Sequence, residues 1–169
     1  MPTKTYLKKF VTRCEGNPPV IDNKTFFRQF VFALLEKRVI RDQEYRPKNL
    51  SEQGHNDQLT LLVTNRTFTH IGHSISMEKA MYINNFIKAD FAQRLTISVV
   101  NLHVRKGLEI RKSLETFCEF HGIEVEVDIS MDNLIKIWHR TLSRMEPVKN
   151  NVTGNLIIPY STGYQLDLF

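Results

Sequence analysis

Cysteine is scarce in this chain of 169 residues: Cys14 and Cys118 are the only two. So far apart in the chain, they are expected as free thiols rather than a bridge. No Cys-x-x-Cys or His-x-x-x-His pair occurs, which removes the usual signature of a structural zinc site. No Walker loop is present to cradle a phosphate. No apolar run reaches the length of a signal-peptide core or a membrane span, so the expectation is a cytoplasmic protein without membrane partners. No internal repeat is visible. No set of side chains forms a catalytic constellation, so no catalytic residue, metal or cofactor is expected, and the balance favours a binding role over an enzymatic one.

What is present is an ordinary globular composition, 41% hydrophobic and 24% charged, with room for one core or one core and a small appendage. Charge is unevenly spread around the net value of +5. Residues 1–48 hold 11 Lys/Arg against 5 Asp/Glu, and the rest of the chain holds 12 against 13. The basic residues come in groups, Lys4, Lys8, Lys9 and Arg13 and then Lys37, Arg38, Arg41, Arg46 and Lys48. Such grouping is the electrostatic footprint of phosphate binding, and the alternative is a solvated, mildly basic surface.

Periodicity predicts a mainly α fold with a small β element (α+β), in one globular domain. Residues 3–13 suit either a short amphipathic helix or a strand. Asp22 or Asn23 is placed to cap a helix running to about Arg41, with Phe26, Phe27, Phe30, Leu34 and Leu35 on one face. Residues 42–57 read as a loop, and 58–64 as a short strand paired with 66–71 through a turn at Asn65-Arg66. Ser76 caps a long helix whose stripe Ile83, Ile87, Phe91, Leu95, Val99, Leu102 steps by four and three and ends before Gly107. A helix over 108–121 buries Ile110, Leu114, Phe117 and Cys118, with Gly122 as its left-handed cap. Residues 123–128 alternate like a half-exposed strand or an extended connection. Ser130 or Asp128 then caps a last helix to about Met145.

That last helix sends Leu134, Ile135, Trp138 and Leu142 inward and leaves Asn133, Lys136, Arg140 and Arg144 on one outward face. Asn and Arg are the side chains that read base edges in the major groove, so a helix-turn-helix is one reading. Against it stand the long connection from Gly122 to Ser130 and the acidic balance of residues 123–146, 3 basic against 5 acidic. The run Glu124, Glu126, Asp128, Asp132 could gather carboxylates around a magnesium, but alternation with Ile123, Val125 and Val127 is what any half-exposed strand displays. His70-Ile71-Gly72-His73 is similar to the ATP-binding signature of class I aminoacyl-tRNA synthetases. It departs from them in being followed by helices rather than by alternating strands and helices, so it is expected only to cap or flank the long helix.

The last five residues are Gln165-Leu166-Asp167-Leu168-Phe169. They resemble the peptide by which bacterial proteins dock on the β sliding clamp, Gln-Leu-Ser/Asp-Leu-Phe, at all five positions. At average residue usage such a match at a given position arises by chance about 2 times in a million. In an apolar groove Leu166, Leu168 and Phe169 would each bury a side chain worth roughly 1.5–3 kcal/mol, Gln165 would fix the orientation through its amide, and Asp167 would point outward. A C-terminal strand completing a sheet is the structural alternative. The organisation expected is a basic, mainly helical domain over 1–146, a linker over 147–164 and the clamp-binding peptide over 165–169. The resemblance implies the clamp as partner, and a clamp encircles DNA. The combined expectation is therefore a DNA-associated accessory protein tethered to a bacterial-type clamp, in replication, repair or a phage or mobile-element process. Its DNA contacts are expected from Lys8, Lys9, Arg13, Lys37, Arg38, Arg41, Lys136, Arg140 and Arg144. The alternatives are a regulator that occupies the clamp groove without binding DNA, and a clamp-targeted enzyme whose active site the sequence does not reveal.

Overall fold

The computed structural model describes residues 1–22, 24–36, 57–72 and 74–145, with the short strands at 148–149 and 156–157. The fold is mainly α with a small β element. In chain order the elements are β1 (Pro2–Thr3), α1 (Thr5–Glu15), β2 (Val20–Ile21), α2 (Phe26–Leu34), β3 (Asp57–Gln58), β4 (Leu62–Val63), α3 (Asn65–His70), α4 (Met77–Lys106), α5 (Ile110–Phe120), α6 (Met131–Leu142), β5 (Val148–Lys149) and β6 (Leu156–Ile157). No helix among the described residues is long and apolar enough to cross a membrane.

Helix α4 is the spine. Ser76 caps it by accepting the Lys79 N–H, and Gly107 ends it in the left-handed region at φ 65. Its stripe Ile83, Ile87, Phe91, Leu95 and Val99 is buried, as the spacing of four and three requires. Phe91 is the meeting point of three helices. Its ring lies 5.0 Å from Tyr6 and 5.4 Å from Phe10, both on α1, and 5.7 Å from Phe117 on α5. These edge-on contacts add to the apolar burial that holds α1 across the middle of the spine. Leu134 and Trp138 of α6 belong to the same core.

Helix α5 closes as anticipated, in a Schellman motif. The Ile123 N–H reaches the Cys118 carbonyl at 2.9 Å and the Gly122 N–H that of Glu119 at 3.1 Å, with Gly122 at φ 66. Buried Ile123 adds the apolar contact that accompanies this turn.

Four expectations need correction. Helix α2 is capped by Thr25, whose side chain accepts the Arg28 N–H, and it ends at Leu34 rather than near Arg41. Of its expected apolar face, Phe27 and Leu35 are buried and Phe30 and Leu34 pack partly buried against the core, joined by buried Val31, while Phe26 is 59% exposed and rests against Phe86. Residues 65–70 form α3, not the second strand of a hairpin, because the Thr64 side chain caps a helix by accepting the Thr67 N–H. The two strands flanking 59–61 pair elsewhere: β3 runs antiparallel to β1, Pro2 opposite Gln58, and β4 runs parallel to β2, Val20 opposite Leu62. Within residues 123–128 the chain turns, the Val127 and Asp128 N–H groups reaching the Glu124 carbonyl and Glu126 adopting φ 70, so their carboxylates do not line one strand face. Inside the expected linker, β5 pairs antiparallel with β6.

Candidate nucleic-acid interface

The two basic groups assigned to α1 and α6 are in different electrical situations. On α1, Lys8 Nζ lies 2.8 Å from Asp57 Oδ1, which ties the helix to β3 and holds the Asp57 carboxyl below its usual range. Lys9 Nζ sits between Asp128 Oδ2 at 2.6 Å and Glu124 Oε1 at 3.0 Å. Those hydrogen bonds, that to Asp128 foremost, raise the Lys9 proton affinity above that of an ordinary lysine. The Arg13 guanidinium stands 5.4 Å over the Phe120 ring, a cation–π contact between α1 and the end of α5. Lys8 and Lys9 thus act as ties within the fold, and a phosphate would have to compete with carboxylates already in place.

The Lys9 ties also explain the acidic run. Asp128 Oδ2 accepts the Glu124 N–H at 2.8 Å, and Glu126 Oε1 accepts the Met131 N–H at 2.9 Å at the start of α6. Glu124, Glu126 and Asp128 are thus occupied in shaping the connection between α5 and α6. Among the described residues no group of three or more His, Cys, Asp or Glu is arranged to hold a metal ion.

Helix α6 offers the contrast. Ser130 caps it, accepting the Asn133 N–H at 3.4 Å, and Leu134 and Trp138 bury its inner side. The expected outward residues Asn133, Lys136, Arg140 and Arg144 are all exposed. Steps of three and four keep Asn133, Lys136 and Arg140 on one side of the helix, whereas α6 ends at Leu142 rather than near Met145 and Arg144 lies in the turn that follows. None of the three cations has a carboxylate partner among the described residues, so this face is free to meet phosphate oxygens or base edges. Asp132, exposed at the start of the helix, is the acidic residue nearest to this face in sequence. The connection between α5 and α6, residues 121–130, carries a Schellman turn and a second turn. It is longer than that of an ordinary helix-turn-helix, and the two helices are better described as a packed pair than as that motif.

Of the remaining sequence-based sites, Lys37, Arg38 and Arg41 lie outside the described residues, as do Gln165, Leu166, Asp167, Leu168 and Phe169. His70 ends α3 and the His70-Ile71-Gly72 segment precedes α4, whose cap is Ser76; His73 is outside the described residues. Sequence reasoning missed the partners of Lys9, which lie 115 and 119 residues away, because no local pattern encodes a pairing at that range. No protein-family model matches the chain, and neither a curated protein nor a solved structure shows detectable similarity to it.

Proposed function

We propose that this chain is a DNA-associated accessory protein that docks on a bacterial-type β sliding clamp through Gln165–Phe169 and presents the outer face of α6, with Arg144 in the turn after it, to the duplex beside it. The observation that carries the reading is the five-residue match at 165–169. Its chemistry suits a clamp groove, with two leucines and a phenylalanine for apolar pockets and one amide to fix direction. Support for the DNA half comes from the exposed Asn133, Lys136, Arg140 and Arg144. Replication, repair or the propagation of a phage or mobile element are the settings in which such tethering is useful.

Leu168→Ala combined with Phe169→Ala should weaken binding to purified clamp at least tenfold, about 1.4 kcal/mol, without lowering the melting temperature. Equal capture of variant and parent by immobilised clamp would end this reading, and loss of folding would favour a C-terminal strand. The internal pairing of Lys8 and Lys9 favours a second reading, a clamp-occupying regulator that does not bind DNA. Steeply salt-dependent binding of the parent chain to duplex separates the two.

A further inference from the structure

The turn between α4 and α5 carries four cations within eight residues, Arg105, Lys106, Arg111 and Lys112, and all four side chains are exposed. A single acidic residue, Glu109, lies between them. The turn is pinned from both sides. The Gly107 N–H reaches the His103 carbonyl at 3.1 Å, and the Leu108 N–H reaches that of Leu102 at 3.4 Å. Nδ1 of His103 lies 2.7 Å from the Leu108 carbonyl, which can only accept, so Nδ1 carries the proton and donates it. The cations therefore project from a built corner between two helices.

Their placement cannot be explained by helix electrostatics alone. Arg105 and Lys106 occupy the last turn of α4, where cations complement the carbonyl end of the helix dipole. Arg111 and Lys112 occupy the first turn of α5, the end at which positive charge is unfavourable, and that turn contains no acidic residue. The N-cap Glu109 makes no side-chain cap hydrogen bond there. Carboxylates further along α5 partly offset this in exposed ion pairs, Glu115 at 3.8 Å from Arg111 and 3.5 Å from Lys112, and Glu119 at 4.0 Å from Lys112. Exposed pairs of this kind contribute little, so a local rule is broken for a small gain inside the fold, which is the pattern expected where a surface serves a partner.

From this charge and geometry we infer that the α4–α5 corner is a second contact for the phosphate backbone of duplex DNA. Arg105, Lys106, Arg111 and Lys112 take phosphate oxygens independently of sequence, while α6 faces the bases. This inference rests on the reading of the chain as a DNA-associated protein. Phosphate contacts of this kind set orientation and salt dependence rather than sequence preference.

The test uses the full chain and a short labelled duplex, with affinity measured across a range of salt concentrations. The variant Arg105→Gln, Lys106→Gln, Arg111→Gln, Lys112→Gln should flatten the log–log salt slope by about 0.9 per lost contact, or roughly 3–4 in all. The pair Arg111→Gln, Lys112→Gln should remove about half of that and should melt no lower than the parent, since two cations leave the unfavourable end of α5. A parental slope in the fourfold variant overturns the inference, as does a lower melting temperature in the pair, which would make these cations structural. A variant that keeps DNA affinity but loses capture by the clamp would assign the corner to a protein surface and also overturn it. Should the parent chain fail to bind duplex at all, this inference and the DNA half of the proposed function fall together. Capture by clamp through Gln165–Phe169, scored separately, then decides whether the tether stands.

Discussion

His121 sits against the rings of Phe10, Phe117 and Phe120, with centroids 5.2, 4.3 and 5.0 Å away. Its Nδ1 lies 2.9 Å from the Phe117 carbonyl, so the proton of the neutral ring is on Nδ1. Burial is the main force lowering its pKa, and the Arg94 and Arg13 guanidiniums, from α4 and α1, push the same way. A base with a depressed folded-state value binds fewer protons folded than unfolded, so stability rises with pH in the interval between the two values. The His121 contribution is therefore complete above the unfolded value of 6.5 and is lost as pH falls below it toward the folded value. Denaturant midpoints at about pH 7.5 and about pH 5 should differ more for the parent than for His121→Gln, which retains a donor for the Phe117 carbonyl but does not titrate. Equal differences would assign the acid sensitivity to other groups. At the same scale, burial pushes the Cys118 thiol up to about 12, so this cysteine is an apolar filler rather than a nucleophile.

Helix ends are where local residue chemistry governed the structure most visibly. Ser76, Ser130, Gly107 and Gly122 perform the capping roles their residue types suggest, and the stripe of α4 is buried from Ile83 to Val99 as its spacing demands, with Leu102 half-buried at its end. Gly107 has open space around a built Cβ but φ +65, so replacement by Ala is strained by backbone alone. Gly107→Ala should cost about 1 kcal/mol and lower the melting temperature, while Gly107→Asn, whose residue type tolerates this region, should cost less. Equal losses would show that something other than the left-handed turn sets the cost. The short strands were not legible in the same way. Two-residue ladders such as Pro2–Thr3 with Asp57–Gln58 are fixed by which segments the helices bring together, and nothing local announces them. Thr67, Phe68 and Thr69 alternate like a strand, yet the Thr64 cap makes them helical. The outward face of α6 could be read from its periodicity. The electrical state of Lys8 and Lys9 could not, because Asp57, Glu124 and Asp128 reach them only through the tertiary fold.

Across the whole molecule, residues 1–36 are attached to the rest chiefly by contacts distant in sequence. Tyr6 and Phe10 rest on Phe91, Asn84 Nδ2 donates to the Pro2 carbonyl at 2.7 Å, and Lys9 reaches Asp128. The β1–β3 and β2–β4 ladders join the same two regions through backbone hydrogen bonds. The attachment between the first 36 residues and those from 57 onward is thus an internal interface with a core, ion pairs and strand pairing. These described contacts are therefore expected to hold the two parts together without covalent continuity between residues 36 and 57. A chain severed there with a specific protease should persist as a two-piece complex that co-elutes on gel filtration at micromolar concentration. Its melting temperature should acquire a dependence on protein concentration that the intact chain lacks, because folding has become an association. Pieces that part on the column would mean that the N-terminal helix is held by its tether after all. If they stay together, this protein is also a ready-made pair of complementing fragments, able to report whatever brings its two halves into the same place.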